Sequence, residues 1–95
     1  MDRIPAVKWR RRVAHPDDGA DWAEYRRAVG VRVREARLRA NLTQETLADR
    51  SGVGRNTLQR IEGGDPQAPR LGAMWRLART LGVPVQVLLT DSGEG

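Results

Sequence analysis

The chain has no cysteine and no phenylalanine, one histidine, and a single lysine, Lys8, among 17 basic residues. Without cysteine there is no disulfide scaffold, no thiolate metal site and no thiol nucleophile. A lone histidine, His15 beside Pro16, cannot build the usual histidine-based zinc sites and reads as a solvated loop residue. Without phenylalanine the core must be small and made mainly of Val, Leu, Ile and Ala. No apolar run approaches the roughly 18 residues of a membrane span. The opening Met1-Asp2-Arg3-Ile4-Pro5 has no apolar stretch ahead of its basic cluster, which argues against a secretory signal. There is no nucleophile-base pair and no glycine-rich phosphate cradle after a strand, so an enzyme is not expected, and neither is a cofactor. The expectation is a soluble, cytoplasmic, single-domain chain of 95 residues with no membrane association.

What is abundant is arginine. The formal net charge is +5, and the other sixteen basic residues are all Arg. Guanidinium groups hold phosphate bidentately and read guanine edges. A GC-rich coding sequence would favour the same residue, so the bias alone leaves both explanations open. Its distribution says more. Residues 1–12 carry five basic groups and one acid, residues 13–25 carry four acids and no Lys or Arg, and residues 26–39 carry six Arg and one Glu. The basic charge lies in an N-terminal arm and on one segment.

Residues 1–20 lack periodicity and contain Pro5, Pro16 and Gly19, which suggests an extended or disordered arm. Asp21 with Glu24 forms a capping-box-like pair. Trp22, Tyr25, Val29, Val33, Ala36 and Ala40 follow at spacings of 3 or 4, the stripe of an amphipathic helix. Asn41 would end it in the left-handed region. Thr43 caps a second helix from Gln44 to Gly52, and Gly54 begins a third from Arg55 to about Glu62. Gly63-Gly64 opens a loop to Arg70. Leu71, Met74, Leu77, Ala78 and Leu81 mark a fourth helix ended by Gly82. Val83-Pro84 starts a last one to about Leu89. With no strand signal, the expected fold is all-α with five helices: an arm over 1–20, a domain over 21–90 and a tail over 91–95.

The segment Gln44–Ile61 carries the function. Leu47, Ala48, Gly52, Val53, Leu58 and Ile61 stand in the register a helix-turn-helix needs. Ala48 lets two helices cross closely, Gly52 supplies a positive φ in the turn, and Leu47 and Val53 plug the corner. Leu58 and Ile61 anchor the second helix and leave its other face free. A helical hairpin without a ligand is the bland alternative. Residues Thr43 to Leu58 resemble the helix-turn-helix of the Xre family of lambda-repressor-like, Cro- and C1-type proteins. The likeness extends from Val29-Gly30 through Val33-Arg34 and Ala36-Arg37 to Leu81-Gly82-Val83-Pro84. It departs at Ala36, where a larger aliphatic is usual, at Arg70, where Ser or Thr caps the fourth helix, and in a loop 63–70 about one residue longer than common.

The resemblance implies a five-helix fold whose third helix, 55–62, enters the major groove of double-stranded DNA, and hence a sequence-specific transcriptional regulator, a repressor. An antitoxin or protein-interaction module on the same fold is the alternative, with a toxin or the transcription machinery as possible protein partner. Arg55 opposes the helix dipole, at roughly 0.3–1 kcal/mol, and a guanine edge is its natural target. Asn56 can read adenine. Gln59 and Arg60 lie one turn on and can reach bases or phosphates, and Thr57 a phosphate or a thymine methyl. Thr43 and Gln44 begin a helix whose free N–H groups suit a phosphate. The resemblance gives Gln44 a phosphate contact and a brace to the first residue of the recognition helix, and it gives Arg37 and Glu62 a buried structural salt bridge. Arg70 can touch phosphate. Lys8, Arg10, Arg11 and Arg12, around Trp9, could track phosphates or enter a minor groove. Trp75 falls off the core stripe. Val85, Val87, Leu88 and Leu89 exceed what one helix face can bury; with Leu88 packed under Leu81, Val85, Val87 or Leu89 would face outward and suggest a weak homodimer that DNA tightens.

Overall fold

A computed structural model describes residues 18–65 and 69–90. They form five helices: α1 (Asp18–Arg39), α2 (Gln44–Ser51), α3 (Arg55–Glu62), α4 (Leu71–Leu81) and α5 (Val85–Leu89). Among the described residues there is no strand, in keeping with the periodicity.

Helix α1 starts at Asp18, three positions before the expected Asp21. Pro16 is the last proline before it in the sequence, so nothing local delays the helix until the Asp21–Glu24 pair. Of the expected stripe, Val29, Val33 and Ala36 are buried, whereas Trp22 and Tyr25 remain 43% and 40% exposed and Ala40 is exposed. The 22-residue helix is longer than the body it packs on, and only its middle lies over α3 and α5. The chain then leaves α1 through Asn41 at φ 60.

Thr43 Oγ1 accepts the Thr46 N–H at 3.0 Å, which caps α2. Gly52, at φ 77, ends α2 by donating its N–H to Ala48 O; a side chain here would strain the left-handed backbone. Ser51 Oγ accepts the Val53 N–H at 3.2 Å and completes the turn into α3. Leu47, Ala48, Val53, Leu58 and Ile61 are all buried and meet Met74, Leu77, Ala78 and Leu88 in one core. Leu71, expected on the core stripe of α4, is 71% exposed. It occupies the first position of the helix, where the stripe has not yet reached the body.

Two arginines and a tyrosine of α1 serve the fold itself. Arg26 Nη1 donates to the carbonyls of Gly64 and Asp65, just beyond α3, at 3.1 and 2.5 Å. Arg32 Nη1 reaches Leu88 O at 3.5 Å, and the Tyr25 hydroxyl donates to Leu89 O at 2.5 Å, so α1 holds the last carbonyls of α5. Cations and donors at helix C-terminal ends satisfy carbonyls that lack an intrahelical partner. The concentration of Arg over 26–39 is therefore partly explained without a nucleic acid.

Candidate nucleic-acid interface

The turn at Ser51–Gly54 sets α3 against α1 and α2 so that its two faces differ completely. Leu58 and Ile61 point into the core, while Arg55, Asn56, Thr57, Gln59 and Arg60 are exposed. Arg55 stands at the tip, in a depression it shares with Glu45, Thr46 and Asp49. Asn56 follows it, and Gln59 lies one turn away. The structure thus brings together four of the expected readers, Arg55, Asn56, Gln59 and Arg60, on one outward surface.

Arg60 is not free there. Its Nε and Nη2 pair with the Asp65 carboxylate at 3.2 and 3.4 Å, and its side chain stays 55% exposed. The pairing geometry is loose and solvated, so it holds little energy and leaves the guanidinium able to exchange partners. Beyond Arg60, a polar groove runs between α3 and the start of α4, lined by Thr57, Arg60, Arg70 and Arg76. Arg76 belongs to this group although nothing in the sequence pattern singles it out. It sits mid-helix, off the core stripe, and only the packing of α4 on α2 brings it beside the turn.

The start of α2 differs from expectation in one contact. Thr43 caps the helix and is exposed, so both of its expected roles are sterically open. Gln44, however, donates from Nε2 to Glu62 Oε1 at 3.0 Å. It braces the last residue of α3, not the first. The cause is the Glu62 carboxylate, which lies within its reach because Arg37 fixes it there: Arg37 Nε to Glu62 Oε2 is 2.7 Å and Nη2 to Oε1 is 3.0 Å. The third arm of the guanidinium donates from Nη1 to Leu42 O at 2.9 Å. The pair inferred from the resemblance is therefore present, buried and bidentate, and it ties α1, the α1–α2 loop, α2 and the end of α3 at one point.

Arg70 is exposed and precedes α4 without a side-chain cap bond. Lys8, Arg10, Arg11 and Arg12 lie outside the described residues, as do Trp9, His15 and the tail. Of the three candidate pairing residues, Val87 is 39% exposed, while Val85 and Leu89 are half-buried against the core. The outward strip on α5 is thus narrower than the sequence suggested, because α5 is short enough for α1 and α4 to cover two of its faces. Trp75 is exposed on α4, with the Arg79 guanidinium 5.3 Å from its ring centroid.

A bifacial α3 presented beyond a glycine turn defines the helix-turn-helix class, and comparison with known proteins agrees. The helix-turn-helix family profile matches residues 33–88, and the chain belongs to this Xre, lambda-repressor-like family. It is 39% identical over 61 residues to the cryptic phage CTXphi transcriptional repressor RstR of Vibrio cholerae, a match covering 64% of this chain and 54% of that one. The chain thus spans about half the length of that curated relative. It is also similar to the restriction-modification controller protein C.AhdI from Aeromonas hydrophila, with a TM-score of 0.62 and 33% identity over 73% of this chain and 97% of that one. No helix among the described residues is long and apolar enough to cross a membrane.

Proposed function

We propose that this protein binds double-stranded DNA sequence-specifically in the cytoplasm and represses transcription as a homodimer. The observation that carries the reading is the outward face of α3: Arg55, Asn56, Gln59 and Arg60 are all exposed on a helix whose opposite face is locked into the core. These are side chains whose donor and acceptor patterns match base edges in a major groove. Around them Thr43, Gln44, Thr57, Arg70 and Arg76 supply hydroxyl, amide and guanidinium groups suited to phosphates on either side of the groove. The family membership and a relative named as a transcriptional repressor support the same reading.

Selection from randomised duplex DNA at a stated salt concentration tests it directly, with enrichment of a two-fold symmetric site expected. On that site Arg55→Ala should weaken binding by about 1–3 kcal/mol and relax one base preference. Equal losses on selected and random DNA would reduce Arg55 to a phosphate contact. Failure to enrich any sequence would sink the reading.

The arm enters through its charge alone. Deleting residues 1–12 removes five cations, each able to displace a counterion from DNA. The slope of log affinity against log salt should then become shallower by up to about 0.9 for each phosphate the arm no longer neutralises. A slope unchanged by the deletion would show that Lys8, Arg10, Arg11 and Arg12 do not touch the backbone.

A further inference from the structure

Beyond α3 the chain folds back on the helix and sets an acid against one of the outward arginines. Gly64 takes φ 70, and a Cβ there would stand 2.8 Å from Arg27 Cγ, so this position needs glycine. The Gly64 N–H donates to Ile61 O at 3.1 Å and the Asp65 N–H to Arg60 O at 2.9 Å, the paired bonds of a Schellman helix end. In such an end the residue after the left-handed one often meets the helix through an apolar contact. Here the two positions are Asp65 and Arg60, and the contact is ionic, at 3.2 and 3.4 Å. On its other side the Asp65 carbonyl accepts from Arg26 Nη1. The carboxylate is therefore placed by its backbone and not by the energy of the ion pair, which is small in a solvated setting. An acid just past the C-terminal end of a helix also opposes the helix dipole. Stability of the fold gives no reason for an acid at this point.

We infer that Asp65 is a positioning residue that determines specificity: it aims the Arg60 guanidinium at a guanine edge and turns it away from phosphates. The role rests on the DNA-binding reading; the ion pair itself does not. The stereochemistry carries the inference. Asp65 takes the side of the guanidinium formed by Nε and Nη2. That leaves the Nη1–Nη2 end, with two parallel N–H groups, directed away from the carboxylate. Two parallel donors match the N7 and O6 acceptors of guanine. A phosphate brought to the same arginine would have to sit beside the negative charge of Asp65, whereas a guanine edge is neutral. The carboxylate thus penalises one partner and not the other. Arg70 and Arg76 share a groove with Arg60, and no acid stands among the described residues that line it. Those two arginines suit phosphates, and Arg60 is set apart from them by Asp65. Holding a long side chain before DNA arrives also removes part of its ordering cost on binding, an effect of about two- to tenfold in affinity.

The test compares the full wild-type chain with Asp65→Asn, Arg60→Ala and the double variant. Asparagine keeps the shape of the side chain and every backbone bond of the turn, so the fold should persist, which a circular-dichroism melt checks. Without DNA, nitrogen-15-edited NMR reads the pair directly: the Arg60 Nε–H resonance should move in Asp65→Asn. With DNA, selection from randomised duplexes at one stated salt concentration should give wild type a guanine preference that Arg60→Ala loses. Asp65→Asn should keep the rest of the site but relax that same guanine. Its affinity for the selected site should fall by about two- to tenfold, while its affinity for random duplex rises because one negative charge has left the surface. In the Arg60→Ala background Asp65→Asn should alter no base preference, which separates aiming from a general change of charge. An Arg60 Nε–H resonance indifferent to Asp65→Asn, a guanine preference that survives Asp65→Asn or Arg60→Ala, or an equal gain in affinity for selected and random DNA would each overturn the inference. The last result would make Asp65 a general brake on phosphate binding. A wild type that enriches no sequence would overturn the DNA-binding reading, and with it the role of Asp65, even where NMR shows the pair intact.

Discussion

Replacing Arg37 by methionine, or Glu62 by alanine, is expected to destabilise the fold by roughly 3–5 kcal/mol. The two side chains are 10% and 5% exposed, and they meet in a two-pronged guanidinium–carboxylate fork. What makes the loss large is not the attraction between them, since bringing both charges out of water offsets much of that gain. Removing one partner strands the other charge in a place where water cannot reach it. Every other group around the fork is also engaged: Arg37 Nη1 with the Leu42 carbonyl and Glu62 Oε1 with the Gln44 amide. For a domain of this size, about 1 kcal/mol moves the melting temperature by roughly 4–8 °C, and total stabilities are only about 5–15 kcal/mol. The single variants should therefore melt far below wild type, and urea titration should show midpoints shifted in proportion. The paired substitution Arg37→Met with Glu62→Leu leaves no stranded charge and should recover most of the loss. If the double variant were as unstable as the sum of the singles, the stranded-charge account would be wrong. Gln44→Ala removes one neutral donor from a charged acceptor and should cost less than either single variant.

The parts of the fold that were legible in the sequence are those set by local geometry. The helix-turn-helix could be read because its requirements fall within about 20 residues: a small Ala48 at the crossing, a positive φ at Gly52, and Leu58 and Ile61 three apart on one face of α3. The same periodicity misplaced Trp22, Tyr25, Ala40 and Leu71. A stripe tells which side of a helix faces the body but not where along the helix the body stops covering it, and all four stand at its rim, exposed. The roles of Arg26 and Arg32 were out of reach for a different reason. Each guanidinium finds carbonyls that are distant in sequence and become neighbours only when α1 crosses α3 and α5. Arg37 and Glu62 were found through the resemblance; by periodicity alone Arg37 is an ordinary polar position beside Ala36. In the candidate site, the outward set on α3 follows from Leu58 and Ile61 being buried, which the sequence shows. Two features do not follow: Gln44 bracing Glu62 at the far end of α3, and Arg76 joining Arg70 in the groove. Both depend on the angle at which helices cross.

The crossing of α1 and α3 produces the second large effect. Gly30→Ala should destabilise the protein by about 3 kcal/mol, the upper part of the range for forcing atoms into a filled space. In a helix interior, Ala is preferred to Gly by about 1 kcal/mol, so the helix alone predicts the opposite sign. The packing decides against it. A Cβ built on Gly30 would collide with the Ile61 carbonyl oxygen and stand 2.7 Å from that of Glu62. Both atoms are backbone at the end of α3, so no rotamer change relieves the overlap; α1 and α3 must move apart. Arg37 lies about two turns further along α1, and the same displacement would pull its guanidinium off the Glu62 carboxylate. The loss from Gly30→Ala should therefore be less than additive with that from Glu62→Ala, since each weakens the same junction. Gly72, exposed in α4 with nothing within 4 Å of a built Cβ, is the matched control. There the propensity gain stands unopposed, and Gly72→Ala should raise stability by about 0.5–1 kcal/mol. Urea midpoints for both variants decide the matter. If Gly30→Ala were stabilised as much as Gly72→Ala, α1 and α3 could not approach as closely as described, and the fork between Arg37 and Glu62 would lose the geometry that makes its disruption so costly.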